Sequence, residues 1–128
     1  MAAYEIPGFS FTLPAAVDFS ALGQFRFVVV NASGQAASAG AAADAIGVRQ
    51  NTPTVVGEAT TVVTSGIVLV EASAAISVGD VVASAADGKA ATAVSTNPAL
   101  GTALTAAGGD GELVTVLLAG PGPHTLVA

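Results

Sequence analysis

The aromatic residues of this chain are confined to its beginning. All six lie within the first 27 positions: Tyr4, Phe9, Phe11, Phe19, Phe25 and Phe27. Aromatic side chains bury the largest areas and dominate both cores and interfaces. Everything after them must pack with Val, Ala, Leu, Thr and Gly. The chain is therefore predicted to combine an aromatic N-terminal segment with a body of small aliphatic residues.

Charge and size limit the possible partners. The 128 residues fit one compact domain, and 9% of them are charged, against about 25% in an ordinary soluble domain. We therefore expect an assembly to cover much of the surface. The only basic residues are Arg26, Arg49 and Lys89 and the net charge is −6, so nucleic acid is not expected as a partner. No apolar run reaches the length of about 20 residues that a spanning helix needs, so no membrane partner is expected.

Three segments follow from the breaks in the sequence. Residues 1–24 form an extended N-terminal arm, because Pro7-Gly8 and Leu13-Pro14 exclude a helix. Residues 25–119 form the body, which is expected to fold without residues 1–23. Residues 120–128 form a flexible Gly/Pro tail, which either hangs free or docks on a neighbour through Leu126 and Val127.

The body is predicted to be all-β. Short β-branched runs recur with turn signals every 8–12 residues or so, which is typical of a small β-barrel or sandwich. Residues 25–30 are a strong strand candidate, residues 66–71 are one of several further runs, and residues 112–118 are the clearest. The alanine-rich stretch 35–45 fits a helix by composition. Gly40 and the absence of a large apolar stripe favour a strand or loop equally, so both remain open.

A short sequence pattern occurs twice. Residues 45–48 precede the valine pair at 62–63, and residues 99–102 precede the valine-rich run 114–116. In both places an apolar-Gly strand leads to a longer valine strand after a variable loop. This similarity predicts an internal repeat.

The residues that could support catalysis are few and scattered. The single histidine, His124, lies in the Gly/Pro tail, where a solvated spectator is the expected role. Asp80, Asp87 and Asp110 lie at turns, where Asx side chains bond the local backbone. Asp110 and Glu112 could offer two oxygens to Ca²⁺, but the D-x-D-x-D-G loop is missing. The sequence predicts no enzyme, no metal and no cofactor.

The aromatic segment has two interpretations, which can coexist. It could fold back as a strand of the body, or it could reach a neighbouring subunit or larger partner. Phe25 and Phe27 fit a core position. The predicted interface residues are Tyr4, Phe9, Phe11 and Phe19.

The order of short motifs in residues 45–118 resembles a known family. The body carries Ile46-Gly47-Val48 and then residues 66–70, followed by Ile76-Ser77-Val78-Gly79-Asp80-Val81-Val82. Asp87-Gly88-Lys89, Leu100-Gly101-Thr102-Ala103-Leu104 and Val114-Thr115-Val116-Leu117 complete the pattern. This order is similar to that of the capsid decoration, or cement, proteins of tailed bacteriophages. The resemblance implies a β-barrel-like fold, homotrimers on the outer capsid surface of the virion, contacts with the major capsid protein, and no catalytic residues.

Two functional hypotheses follow. The first is a structural virion protein that clamps major capsid protein subunits. The second is a small carbohydrate- or ligand-binding module of a phage or bacterial surface protein. Such modules use exposed aromatic residues on a rigid surface, whereas here the aromatics lie on a segment broken by proline.

Overall fold

A computed structural model describes residues 4–128 and confirms an all-β fold. Its only helical element is a single 3-10 turn at Ala86–Gly88. The strands are β1 (Ile6–Pro7), β2 (Ser10–Pro14), β3 (Arg26–Val30), β4 (Ala36–Ser38), β5 (Gly47–Arg49), β6 (Ala59–Val63), β7 (Gly66–Glu71), β8 (Val81–Ser84), β9 (Ala90–Thr92), β10 (Gly101–Ala103) and β11 (Leu113–Leu118). None of the described residues forms a helix long and apolar enough to cross a bilayer.

The strands form two antiparallel sheets that enclose one core. The six-stranded sheet has the order β1-β7-β11-β10-β8-β9, and the five-stranded sheet has the order β2-β6-β5-β3-β4. Phe27, Val48 and Val63 from the five-stranded sheet join Val70 and Val116 from the six-stranded sheet in one buried cluster. The sheets therefore pack face to face, as the alternation of inward valines predicts.

The two sheets are built from the same five-strand plan. Strands β2 to β6 are arranged as β2-β6-β5-β3-β4, and strands β7 to β11 are arranged as β7-β11-β10-β8-β9. The repeated sequence pattern occupies equivalent places in the two units. Gly47 of β5 and Gly101 of β10 each lie so close to the neighbouring long strand that a Cβ would collide with its backbone. The topology thus confirms the internal repeat.

The N-terminal segment belongs to both sheets. Ile6 pairs with Ile67 at the edge of the six-stranded sheet, and Phe11 pairs with Val62 at the edge of the five-stranded sheet. Between them the chain crosses at Gly8, whose amide donates to the Ser65 carbonyl at 2.9 Å. Residues 6–14 are therefore folded back onto the body in this structure.

A second, smaller buried cluster lies outside the main core. Residues 15–25 run over one face of the five-stranded sheet, held by hydrogen bonds from the Ala16 amide to Ala36 and from the Phe19 amide to Pro53. The side chains buried in addition to the main core include Ala15, Phe19, Val28, Ala36, Arg49 and Val62. The loop thus covers a sheet face that would otherwise be exposed.

The alanine-rich stretch contains a strand and no helix. Residues 36–38 form β4, and a turn follows at residues 41–42. Ala39 and Ala45 lie in the main core, where the small methyl group fits between the sheets. Packing between the sheets therefore outweighs the helical propensity of alanine in this stretch.

The C-terminal tail docks on its own subunit. Leu126 forms an antiparallel bridge with Pro98, and the Thr96 amide donates to the Val127 carbonyl at 2.7 Å. The tail is irregular around its prolines, as expected, but its last residues are bound to residues 96–99. Leu126 keeps an exposed side chain.

Candidate docking surface

Phe9 is the most exposed aromatic residue that the structure describes. Its side chain is 66% exposed, and its ring lies 6.3 Å from that of Phe11, centroid to centroid, at a tilt of 35°. The backbone that carries it is fixed, since the Phe9 amide donates to Ser65 Oγ at 2.8 Å and its carbonyl accepts from the Thr64 amide at 2.9 Å. A large apolar ring is thus held in solvent by a hydrogen-bonded backbone, one residue before β2.

Strand β2 extends this apolar surface along the sheet edge. Phe11 and Leu13 occupy alternate positions of β2, so their side chains share one face, and the Phe9 ring, one residue before the strand, lies beside that of Phe11. Phe11 and Leu13 are half-buried against β6. We call these three residues the aromatic stripe.

A turn near the far end of β2 presents two more apolar side chains. Val55 and Val56 are each 58% exposed, although turns normally carry Gly, Asn, Asp or Ser. The Glu58 carboxylate accepts hydrogen bonds from the Thr54 and Val55 amides at 3.0 and 2.9 Å, which fixes the turn. The turn is joined to the end of β2 because the Ala15 amide donates to the Glu58 carbonyl.

Tyr4 lies on a different surface, the outer face of the six-stranded sheet. Its amide donates to Thr115 Oγ1 at 2.9 Å, and its side chain is 39% exposed. The register places one row of uncharged residues across this face: Ile6, Ile67, Leu117, Thr102 and Val81. Ile6, Leu117 and Val81 are exposed there. We call this row and Tyr4 the outer apolar face.

Phe19 cannot belong to a docking surface of this subunit. It is completely buried, and the Arg49 guanidinium lies 4.4 Å from its ring centroid. The predicted interface therefore loses Phe19 and keeps Tyr4, Phe9 and Phe11. Of the two residues expected in the core, Phe27 is buried and Phe25 is half-buried at a φ of 59°.

The three Lys and Arg side chains are all engaged within the subunit. Arg26 pairs with Glu71 at 3.2 Å, and Lys89 bridges Glu71 at 3.3 Å and Asp110 at 2.8 Å. The hydrogen bond between them lowers the pKa of Asp110 and raises the pKa of Lys89. Within residues 4–128, no group of three or more His, Asp or Glu side chains is placed to hold a metal ion.

His124 binds the tail to the body. Its ring nitrogens contact the Asp44 carboxylate and the Gly120 carbonyl. Beside it lies an open depression of about 440 Å³, lined by Ala99, Ala119 and residues 121–125. The lining contains no Phe, Tyr or Trp, because all such residues lie before residue 28. The depression therefore lacks the stacking groups that a carbohydrate-binding module would use.

The chain matches a protein family over most of its length. A family model described as phage cement protein matches residues 11–118. Among solved structures, the N base of the head fibre gp8.5 of bacteriophage phi29 is similar, with a TM-score of 0.60 and 23% identity. The match covers 91% of this chain and 98% of that chain, and it shows a shared fold. No curated protein sequence matches the chain significantly.

Proposed function

Because the chain belongs to the phage cement protein family, we propose that it binds the outer surface of a phage capsid and clamps neighbouring subunits of the major capsid protein. The role is structural and requires no catalytic group. The observation that carries the docking proposal is the Phe9 ring, which is 66% exposed on a fixed backbone. Such a ring gains apolar contact area on binding while losing little conformational freedom.

The aromatic stripe is the proposed contact with the shell. Phe9 and Phe11 form a paired aromatic surface, and residues 7–17 contain no charged side chain. Interfaces are typically built around aromatic anchors in a patch depleted of charge. Tyr4 and the outer apolar face are assigned to a second contact.

That second contact is proposed to be between copies of the chain, in a homotrimer. Each copy carries a net charge of −6, so copies repel one another unless they meet through an uncharged surface. The outer apolar face meets this requirement, with Ile6 63%, Leu117 46% and Val81 39% exposed. A trimer would present three aromatic stripes and so gain avidity on a repeating shell.

Stabilisation then follows from mass action. A protein that binds assembled subunits and not free ones shifts the equilibrium towards the assembled shell. If one copy contacts two capsid subunits, separating these subunits also requires breaking its contacts. The free energy needed to separate the subunits is therefore higher. Cement proteins that act in this way should raise the temperature at which heads release DNA.

Co-sedimentation with mature heads tests the proposal. We expect the wild-type chain to bind heads and not the free capsid protein, and Phe9→Ala to weaken binding at least about tenfold, the effect of a modest interface anchor. Val78→Ala is the matched control, since Val78 is 65% exposed at a turn that precedes β8 of the other sheet. Absence of head binding by the wild-type chain would refute the function, and equal binding by Phe9→Ala would refute the aromatic contact.

A further inference from the structure

Strand β2 leaves one row of backbone groups facing away from the sheet. The Ala15 amide donates to Glu58, and the Phe9 carbonyl accepts from the Thr64 amide. Odd-numbered residues of this segment therefore direct their polar groups to β6. Because alternate residues of a strand point in opposite directions, Ser10 and Thr12 direct their amides and carbonyls outward. β2 is the end strand of its sheet.

The internal repeat shows how the equivalent edge is covered in the other sheet. β7 takes the place of β2 in the second unit, and it is not an edge, because β1 pairs with it through Ile6 and Ile67. The next outward amide, that of Leu69, donates to the Glu5 carboxylate at 3.0 Å. An extended segment therefore covers the outer edge of β7. Within residues 4–128, no segment covers the equivalent edge of β2.

The remaining edges are shorter or blocked. β1 has two residues, one of them Pro7, which has no amide hydrogen. β4 is bridged at Ala36 by Ala15, and β9 is bridged at Ala90 by Ala72. Proteins normally protect sheet edges with charges, prolines or coverings because open edges recruit other strands. β2 has five residues and no charge, and Pro14 blocks only its end.

We propose that an extended segment of the major capsid protein adds to the five-stranded sheet by pairing with β2 at Ser10 and Thr12. This deepens the proposed function and rests on it. Strand addition supplies main-chain hydrogen bonds, while the pockets for alternate side chains give specificity. The incoming strand must be uncharged where it passes residues 7–17 and must carry apolar side chains at alternate positions beside the aromatic stripe.

The capsid protein is favoured over a second copy for two reasons. The open edge runs beside Phe9 and Phe11, the residues proposed to contact the shell. Contacts between copies are assigned to the outer apolar face, which lies on the other sheet. The edge is therefore available for the shell in each copy.

Thr12→Pro tests the pairing with little disturbance of the fold. The Thr12 amide points away from β6, so its removal leaves the β2–β6 ladder intact, and proline is tolerated at such edge positions. We expect Thr12→Pro to bind mature heads at least about tenfold more weakly. Thr12→Ala, which keeps the amide, should bind within about twofold of wild type. Thermal unfolding of both variants verifies that they are folded.

Amide hydrogen exchange on the wild-type chain gives an independent readout that needs no variant. In the free protein the Ser10 and Thr12 amides should exchange quickly while those of Phe11 and Leu13 are protected. Bound to heads, Ser10 and Thr12 should become protected. If the chain binds heads and these amides still exchange as in the free protein, strand addition is wrong while the proposed function stands.

Two further outcomes would also overturn the inference. A chain that does not bind heads refutes both the function and the strand addition. A dimer that forms with rising concentration, protects Ser10 and Thr12 without heads and is abolished by Thr12→Pro would identify a second copy as the occupant.

Discussion

The Arg49 guanidinium lies 4.4 Å from the centroid of the Phe19 ring, and both side chains are fully buried. Its nitrogens donate to the carbonyls of Gly23, at 2.7 Å, and Leu22, at 3.2 Å. Burial lowers the pKa of Arg49 to about 10, so the group stays protonated at neutral pH. The pair fastens the loop of residues 15–25 to the five-stranded sheet through stacking and charge-assisted hydrogen bonds.

Phe19→Ala should destabilise the fold strongly. Removing a buried phenylalanine leaves a cavity and costs about 3–5 kcal/mol. Urea unfolding would measure this as a lower midpoint. Phe9→Ala is the comparison, since an exposed ring should change the free energy of unfolding by less than about 1 kcal/mol. Equal losses for the two variants would contradict the assignment of Phe19 to the core and Phe9 to the surface.

Arg49→Lys should also be destabilising, although it keeps the charge. Lysine cannot reproduce the planar stacking on Phe19 or the fork that bonds two carbonyls. The loss of these contacts should cost about 2 kcal/mol in urea unfolding. Arg26→Lys is the matched control, because Arg26 is half-buried and its ion pair with Glu71 survives the exchange. If Arg49→Lys leaves the free energy of unfolding unchanged, the loop is held by other contacts.

The Lys89–Asp110 pair should make stability dependent on pH in the acid range. The pKa of Asp110 is lowered in the folded state from its ordinary value of 3.8. The stabilisation of the folded state by ionised Asp110 is therefore fully present above the ordinary pKa of 3.8. It is lost as the pH falls through the lower pKa of the folded state. We expect the melting temperatures of wild type and Asp110→Asn to differ above about pH 5 and to converge towards pH 2. A constant difference across this range would contradict the pairing.

Deletion of residues 1–23 should abolish cooperative folding. The sequence alone suggested that the body folds without this segment. The structure places β1, β2 and Phe19 within it, so the deletion removes an edge strand from each sheet and uncovers Arg49. Circular dichroism and thermal unfolding would report the loss. Removal of residues 125–128 is the control truncation, and it should leave a cooperative transition because it removes only the bonds to residues 96–99.

Val116→Ala should weaken folding without weakening docking. Val116 is fully buried in the main core, and loss of two methyl groups there should cost about 2 kcal/mol. Under conditions where the variant remains folded, its binding to heads should equal that of wild type. Weakened binding by a fully folded Val116→Ala would place β11 closer to the shell than we propose.

The sequence contained the local features of this fold but not its long-range pairing. β-branched runs and Gly turns identify strands such as Gly66–Glu71 and Leu113–Leu118, because these signals are local. The repeated apolar-Gly pattern predicted the internal repeat. Which partner each strand takes is not local, so the pairing of β2 with β6, nearly fifty residues away, could not be derived.

The same limit applies to the candidate docking surface. Phe9 and Phe19 both lie in the proline-broken N-terminal segment, and the alternation of Phe9, Ser10 and Phe11 predicts a short strand without showing which aromatic ring is buried. Phe19 is buried because the loop of residues 15–25 lies over Arg49, whereas Phe9 lies outside that loop and is exposed. An isolated arginine in a chain poor in charge was the one available sign of this cluster. The direction of the Ser10 and Thr12 amides depends on the β2–β6 register and is likewise invisible in the sequence.

The crossing at Gly8 has a mechanical consequence. There the backbone of residues 6–9 passes against Ser65 and Gly66, and Gly66, at a φ of +92°, has no room for a Cβ. The strands on either side of the crossing are hydrogen-bonded into different sheets. Tension applied along β2 would therefore load its ladder with β6 in shear and pass through the crossing to β1 and β7. A swelling shell that pulled on this strand would strain both halves of the protein together.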